Sequence, residues 1–491
     1  MTDVLLIQPF VGPSHLYTKP ENELDFESYK MKTRITRVPQ GLLSIGTFLH
    51  NLGYNVDIFD CRLHYMNGHE YFLNVLKERV KNTKILIGIS VMTTYIAQVL
   101  EIIDIIKKVN PTVYIVLGGI HPTLFPQQTC QDDNVDFVIA GDGEYPLAEL
   151  VKALDKGGSY KDIKGLTYKE NHQVRSNPIG KPFDIQELPV PAYHLLEMEN
   201  YLPWIPYYLE KKTIGLDYLI SRGCPYGCAF CSNKIIPQNR IWRCKTPNQV
   251  IEELHILKDK YKFDYIYMED DDPLVNMKNF LEIAKKLLQD DFNIRYLANV
   301  RVDTIVNTPK SILKTIRKSG WCETIIGAES GCNKILKFLK KGITVEQTLK
   351  AAKILSELDI WAAYNVMDCI PHETRDERKQ TYALMKKLRQ IHPKSVLVGP
   401  HHFRPFPGSD LYQYCLEAGL MEPETFRNWS NCPLYTAQPS DLPWVKDYFF
   451  TERFERYLQV YGLKEFTKKV IKRILFYLRH PRIAMERLRK K

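Results

Sequence analysis

Twice along this chain, short apolar runs rich in β-branched residues alternate with segments whose apolar positions recur every 3.6 residues. In the first series strands are expected at 4–7, 55–59, 85–91, 113–117 and 136–140, with helices at 41–52, 97–108 and 146–156. In the second, strands are expected at 216–220, 265–268, 294–298, 324–326, 363–367 and 395–398, with helices at 248–261 and 345–358 among those between them. Strands that alternate with helices pair in parallel and are covered on both faces, so both halves are α/β. The second series has six units, enough for a partial barrel. Between the two, Gly157-Gly158 and Pro178, Pro182, Pro189, Pro191, Pro203 and Pro206 break every period, which marks a connector with one hairpin. The expected domains are 1–155, a connector 156–212, 213–415, and a mostly helical region 416–491. A chain of 491 residues exceeds what one core supports, in keeping with that division.

Composition excludes several classes. With 44% hydrophobic and 25% charged residues the chain is neither disordered nor fibrous. It has no charge-free apolar run long enough to span a bilayer. The opening MTDVLLIQPF lacks a basic n-region and a cleavage site, so no signal peptide is expected and the location expected is cytoplasmic. In that compartment eleven cysteines point to metal or redox chemistry rather than to disulfides. Charge is concentrated: residues 468–491 hold ten Lys/Arg against Glu486 alone, which is nine of the ten net positive charges. The body of the chain is near neutral, so no nucleic-acid partner is expected there.

Parallel sheets take ligands at the carboxyl ends of their strands. In the first series those ends carry Gln8-Pro9, Ser90 to Thr93, Gly118-Gly119-Ile120-His121 and Gly141-Asp142-Gly143-Glu144. The phosphate-cradling fingerprints of nucleotide sites, G-x-x-x-x-G-K-[ST] and G-x-G-x-x-G, are absent. After the first strand of the second series comes Ser221-Arg222-Gly223-Cys224-Pro225-Tyr226-Gly227-Cys228-Ala229-Phe230-Cys231. Three thiolates at this spacing can hold three irons of a 4Fe-4S cluster, which would leave the fourth iron open. Cys244 would make a four-cysteine zinc site, but without the second tight pair such sites show. Buried inert cysteines are disfavoured by the flanking glycines and proline.

The cysteine loop resembles that of the radical S-adenosylmethionine (SAM) enzymes. Four further segments resemble the same family: Met268-Glu269-Asp270-Asp271, Ile326-Gly327-Ala328-Glu329-Ser330-Gly331, Pro371-His372-Glu373-Thr374 and Pro405-Phe406-Pro407-Gly408-Ser409. With the first domain, the resemblance is to the cobalamin-binding branch, which holds the anaerobic magnesium-protoporphyrin ester cyclases and many methylases, and it covers about residues 1–415. One stretch departs from the family pattern: Asn365 to Ile370 has no glycine where Gly-x-Pro is usual, so the Asp368 side chain approaches the SAM site.

The resemblance implies three cofactors: a 4Fe-4S cluster on Cys224, Cys228 and Cys231, SAM on the open iron, and cobalamin. Phe230 is expected near the adenine, and Glu329 and Ser330 at the SAM amino acid or ribose. Asp270 and Asp271 belong to an acidic cluster that meets the SAM ammonium or else opens a helix. Arg301 pairs with a carboxylate, of SAM or of the protein. In a flavodoxin-like first domain, Gln8, Pro9, Gln40, Ser90, Thr93, Gly118, Gly119, His121, Gly141, Gly143 and Glu144 are expected around cobalamin, the glycines letting it approach the backbone. The stretch Asp60-Cys61-Arg62-Leu63-His64 does not fit the Asp-x-His-x-x-Gly loop of cobalt-ligating proteins, so no histidine ligand is expected. The implied activity is C-methylation of an unactivated carbon by way of a 5′-deoxyadenosyl radical and methylcobalamin. A cyclase or rearrangement enzyme is the alternative, and a cobalamin-responsive regulator the non-enzymatic one. The substrate is a small molecule, a peptide or a lipid-like compound, and the electron donor a flavodoxin or ferredoxin.

In the basic stretch, residues 470, 471, 474, 475 and 478 share one helical face. That pattern suits an anionic membrane surface as well as docking on the body, and docking is the expectation favoured here.

Overall fold

The computed structural model describes residues 2–10, 37–204, 213–234, 236–432, 442–445, 459–460 and 462. The basic stretch 468–491 and connector residues 205–212 lie outside the described residues, so the expectations placed on them are not addressed below.

The first sheet is built from β1 (Thr2–Gln8), β2 (Val56–Asp60), β3 (Thr83–Ser90), β4 (Tyr114–Gly118), β5 (Phe137–Ile139), β6 (Leu166–Glu170) and β7 (Gln173–Ser176), in the order β2-β1-β3-β4-β5-β6-β7. The first five strands pair in parallel, and their apolar runs are buried on both faces: Val4, Leu5, Leu6 and Ile7 are all at most 1% exposed. The hairpin expected in the connector is β6–β7, added antiparallel to the edge at β5. Helices α1 (Gln40–Asn51), α2 (Ile96–Val109) and α3 (Glu144–Lys156) supply much of the cover.

The second sheet comprises β8 (Pro203–Trp204), β9 (Thr213–Tyr218), β12 (Tyr265–Met268), β13 (Arg295–Asn299), β14 (Trp321–Glu329), β15 (Trp361–Asp368) and β16 (Ser395–His402); between β9 and β12 a separate pair forms from β10 (Ser221–Arg222) and β11 (Arg243–Cys244). Six strands, β9 and β12 to β16, are parallel and adjacent in chain order, the arrangement of an open six-stranded barrel, while β8 joins antiparallel at the outer edge. β14 runs nine residues where three were expected. β9 ends two residues earlier than expected, which releases Leu219 and Ile220 into the cysteine loop. The Pro371 to Thr374 segment has a plain local role: Thr374 caps α4 (Arg375–Ile391) in a reciprocal capping box with Glu377. Beyond residue 415 the described residues hold the end of a helix (Asp410–Glu417), a 3-10 turn (Arg427–Asn431) and helical residues at 459, 460 and 462.

One apolar cluster runs through both sheets, from Val4 and Leu6 by way of connector residues Tyr193, Leu196, Met198 and Tyr201 to Leu384 and Leu388. A second covers the other face of the first sheet and takes in Phe426 and Trp429, so the segment after the barrel returns to the first domain. Among the described residues no helix is long and apolar enough to cross a membrane.

Candidate functional site

The cysteine loop is held at both ends. Gly223 has φ +87°, and a Cβ there would stand 2.6 Å from the Ile241 carbonyl oxygen, so only glycine fits. Cys224 N–H donates to the Asn239 carbonyl at 2.8 Å, Ala229 N–H to Leu339 at 2.9 Å, and Ala229 O accepts from Leu411 N–H at 3.1 Å. Asp270 anchors the start of the loop: its buried carboxylate accepts from the Ser221 backbone and hydroxyl and from Ile220 N–H, and burial pushes its pKa up to about 7. That corrects one expectation. Asp270 is spent inside the protein and does not face a ligand, whereas Asp271 is exposed beside the thiols.

The three thiols converge. Burial pushes Cys224 up to about 11, with Asp271, Asp272 and Cys231 adding to it; burial also raises Cys231, with Asp271 and Cys228 adding. Their sulfurs are nonetheless not packed within 4.8 Å of one another, as one of the three-ligand groups for a single ion would be. Cys244 lies apart on β11, its thiol raised by burial and by Asp184 and Asp270.

Around Cys228 stand groups from three strand ends. Arg301 binds Asp303 through two bonds of 2.9 Å, donates to the Lys341 carbonyl at 2.7 Å, lies 3.7 Å over the Tyr226 ring, and has Nη1 3.8 Å from Cys228 Sγ. Of the two alternatives for Arg301, its carboxylate partner here belongs to the protein. Glu329, at φ +59°, pairs with Lys341 Nζ at 2.7 Å, and that ammonium also lies 5.7 Å over the Phe230 ring. Lys341 and Tyr226 carried no sequence signal, because each acts through a neighbour distant in the chain, whereas Asp303 stands only two residues from the Arg301 it holds. Ser330 corrects another expectation: it is fully buried, its hydroxyl beside Thr381 and accepting from Cys332 N–H at 3.2 Å.

At the strand ends of the first sheet a cleft of about 180 Å³ is lined by Ser90, Gly118, Gly119, Gly141, Gly143 and Glu144, by Gly41, Leu42 and Ile45 of α1, and by Arg222. A Cβ on Gly118 would meet only the Ile139 carbonyl oxygen, at 3.7 Å, and one on Gly41 nothing within 4 Å, so at these two positions a side chain would fill the open space. A slender segment of a ligand fits that cradle. Gly141 is glycine for a different reason: it has φ +89° and Gln238 of the second domain fills the place of a Cβ.

Several expected cobalamin contacts lie elsewhere. Gln8 bonds to the Pro9 carbonyl, and neither residue lines the cleft. Gln40 lines an adjoining cavity of about 120 Å³ and donates to the Asp217 carbonyl at 3.1 Å. His121 is wholly buried among Phe125, Phe426 and Trp429, with Nδ1 3.2 Å from the buried Thr93 hydroxyl. The two aromatic residues that close this cage come from the returning segment, which is why strand-end position alone misplaced His121 and Thr93. His64 stacks on Phe59 and pairs with Glu197 at 3.3 Å.

Arg222, two residues before Cys224, joins the two halves of the site. It pairs with Glu144 at 2.7 Å and bonds to Ser44 at 2.8 Å, while Arg243 holds Asp142 at 2.9 Å. Burial alone raises the Glu144 carboxyl, but Arg222 and the Ser44 hydroxyl outweigh it and hold the pKa below the usual range. Glu144 therefore serves as a strut from the cleft to the cysteine loop.

A Radical SAM superfamily model matches residues 218–385 and a B12 binding domain model residues 36–151. An uncharacterized methyltransferase of Pyrococcus horikoshii is 32% identical over 352 residues, which is 70% of this chain and 72% of that protein. The anaerobic magnesium-protoporphyrin IX monomethyl ester cyclase of Rubrivivax gelatinosus is 28% identical over 67% of this chain, but this chain spans only 58% of the cyclase. Among solved structures, a radical S-adenosylmethionine methyltransferase from Kitasatospora setae with cobalamin and a 4Fe-4S cluster bound superposes with a TM-score of 0.65 at 16% identity, covering 86% of this chain and 79% of that one.

Proposed function

The chain belongs to the cobalamin-binding branch of the radical SAM superfamily, and on that premise we propose that it methylates an unactivated carbon of a small organic substrate. When bound, the cluster with SAM supplies a hydrogen-abstracting radical and cobalamin a transferable methyl group; the protein supplies binding, orientation and exclusion of water. Cys224, Cys228 and Cys231 would hold three irons, and the Arg301 guanidinium beside Cys228 would favour the reduced, more negative cluster. The pair Glu329–Lys341 would receive the amino and carboxylate groups of SAM by exchanging partners, each charge meeting its opposite. The glycine-lined cleft would take the nucleotide tail of cobalamin.

The observation that carries this reading is Arg222, which is at once a wall of the cleft and the entrance of the cysteine loop. Methyl donor and radical then open onto one space. The methyltransferase relative at 32% identity supports methyl transfer, while the cyclase relative at 28% favours a second reading without it. Anaerobic turnover with SAM, cobalamin and a reducing flavodoxin or ferredoxin separates them. Methylation yields 5′-deoxyadenosine and S-adenosylhomocysteine in equal amounts, whereas cyclisation or rearrangement yields the first without the second. The basic stretch 468–491 is tested by co-sedimentation with anionic vesicles at two salt concentrations. Salt-sensitive binding lost in a chain ending at Phe466 supports membrane contact.

A further inference from the structure

Asp368 closes β15 and His402 closes β16, directly opposite each other in the parallel register, and Cys369 follows Asp368. His402 Nδ1 lies 2.6 Å from Asp368 Oδ1 and 3.6 Å from Cys369 Sγ, and one ligand atom from each of the three falls within 4.8 Å of the others. Asp368 and Cys369 are buried, whereas the His402 side chain is 30% exposed, which gives the cluster an entrance at the strand ends from which the cysteine loop also departs.

We propose that Asp368, Cys369 and His402 form a site for one divalent d-block cation, zinc by preference. Carboxylate oxygen, thiolate sulfur and imidazole nitrogen are all zinc donors, and three protein ligands leave a fourth position open, as catalytic zinc sites do. A proton relay would set acid and thiol on opposite nitrogens of the imidazole, as in catalytic triads. Here carboxylate and thiol both face the same nitrogen, so the three donors converge on one point. The spacing agrees. With Zn–S of about 2.3 Å and Zn–N and Zn–O of about 2.0–2.2 Å, tetrahedral coordination sets sulfur about 3.5 Å and oxygen about 3.4 Å from nitrogen. The sulfur already stands there, and the oxygen, now hydrogen-bonded, would move out by less than about 1 Å as the cation replaces the shared proton. Binding also releases the Cys369 thiol proton to solvent.

The surroundings fix the ligands. Cys369 keeps a left-handed φ of +57°. Its carbonyl accepts from Trp444 Nε1 at 3.0 Å, and the Asp368 carbonyl accepts from Phe403 N–H at 2.8 Å. A non-glycine residue held at positive φ is the kind of strain that a surrounding structure maintains at functional positions. Arg404, beside Asp368 and Cys369, balances charge when no cation is present.

The test uses full-length protein carrying its iron–sulfur cluster, exposed to excess ZnCl2 and desalted. It should retain one zinc per chain by elemental mass spectrometry. Cys369→Ser and His402→Ala should each lose that zinc and keep their iron, while Cys224/Cys228/Cys231→Ala should lose iron and keep zinc. With Co²⁺ in place of zinc, this last variant should show a thiolate-to-cobalt charge-transfer band that disappears on adding Cys369→Ser. No retained zinc in the parent protein, or zinc unchanged by His402→Ala, overturns the proposal. So does zinc that leaves with the three loop cysteines alone. Should that triple variant fail to fold, the comparison of iron and zinc in Cys369→Ser and His402→Ala decides by itself.

Discussion

At His121, burial lowers the pKa to about 3, while in the unfolded chain an imidazole titrates near 6.5. As pH falls through 6.5 the unfolded state takes up a proton that the folded state refuses until about pH 3. Unfolding therefore binds a proton across that window, and stability drops by up to about 1.4 kcal/mol per pH unit as acid is added. Replacing His121 with Asn, which still reaches the Thr93 hydroxyl, should lower stability at pH 7 by roughly 1–3 kcal/mol for the lost volume. It should also flatten the decline below pH 6.5. Urea unfolding midpoints at pH 5 and pH 7.5 for both proteins check this; parallel declines would show that His121 takes up its proton in the folded state. The three cysteines could be proposed from the sequence because spacing within one loop carries their chemistry. His121, Ser330 and Glu144 were not, since what decides their roles are Trp429, Thr381 and Arg222, residues no local pattern connects to them.

At the scale of elements, the carboxylate two residues beyond β12 fastens the β10 end of the cysteine loop, and this link between neighbouring strand ends has a measurable consequence. Asp270→Ala removes the acceptor for the Ser221 and Ile220 amides and should cost roughly 1–3 kcal/mol for the buried donors left unpaired. With the loop entrance freed, iron per chain after anaerobic reconstitution should fall well below that of the parent. Asp270→Asn keeps a carbonyl oxygen in place and should retain most of the iron. Equal iron in Asp270→Ala and the parent would show that the loop needs no anchor there. The strands themselves were legible because a parallel strand buried on both faces is a bare apolar run. The β10–β11 pair was not, since two residues per strand carry no period. Nor was the return of Phe426 and Trp429 to the first sheet, since two aromatic residues in a polar loop look the same whether they pack or not.

For the whole molecule, the continuous core from Val4 to Leu388 makes the two sheets one cooperative body. Polar ties across the seam strengthen that coupling. Asp217 of β9 binds Arg37 at 3.0 Å and Val38 N–H at 2.7 Å, Tyr201 reaches Asp60 at 2.9 Å, and Arg222 reaches Glu144 at 2.7 Å. Separating the sheets would expose the shared apolar surface and leave these buried acids without partners, so neither half is expected to persist when the other unfolds. The tryptophans allow a direct test: all six lie at position 204 or beyond, and of these Trp429 packs on the first sheet, whereas the glycine cleft is lined by Arg222 and by residues of the first sheet and α1. Cobalamin at 100 times its Kd stabilises the folded state by about 2.7 kcal/mol. If unfolding is coupled, the tryptophan-fluorescence midpoint moves up in denaturant together with the far-ultraviolet circular dichroism midpoint, although most of the reporters sit away from the ligand. Arg222→Met sharpens the comparison, because a buried Glu144 deprived of its cation costs about 3–5 kcal/mol. At pH below the carboxylate range that cost disappears as Glu144 takes up a proton, so the variant should approach the parent in stability on acidification and fall behind it at neutral pH. In Arg222→Met the cobalamin-induced shift of the tryptophan signal should shrink while that of circular dichroism splits into two steps. A tryptophan midpoint indifferent to cobalamin in the parent protein would mean that the two sheets unfold separately and that the shared core does not couple them.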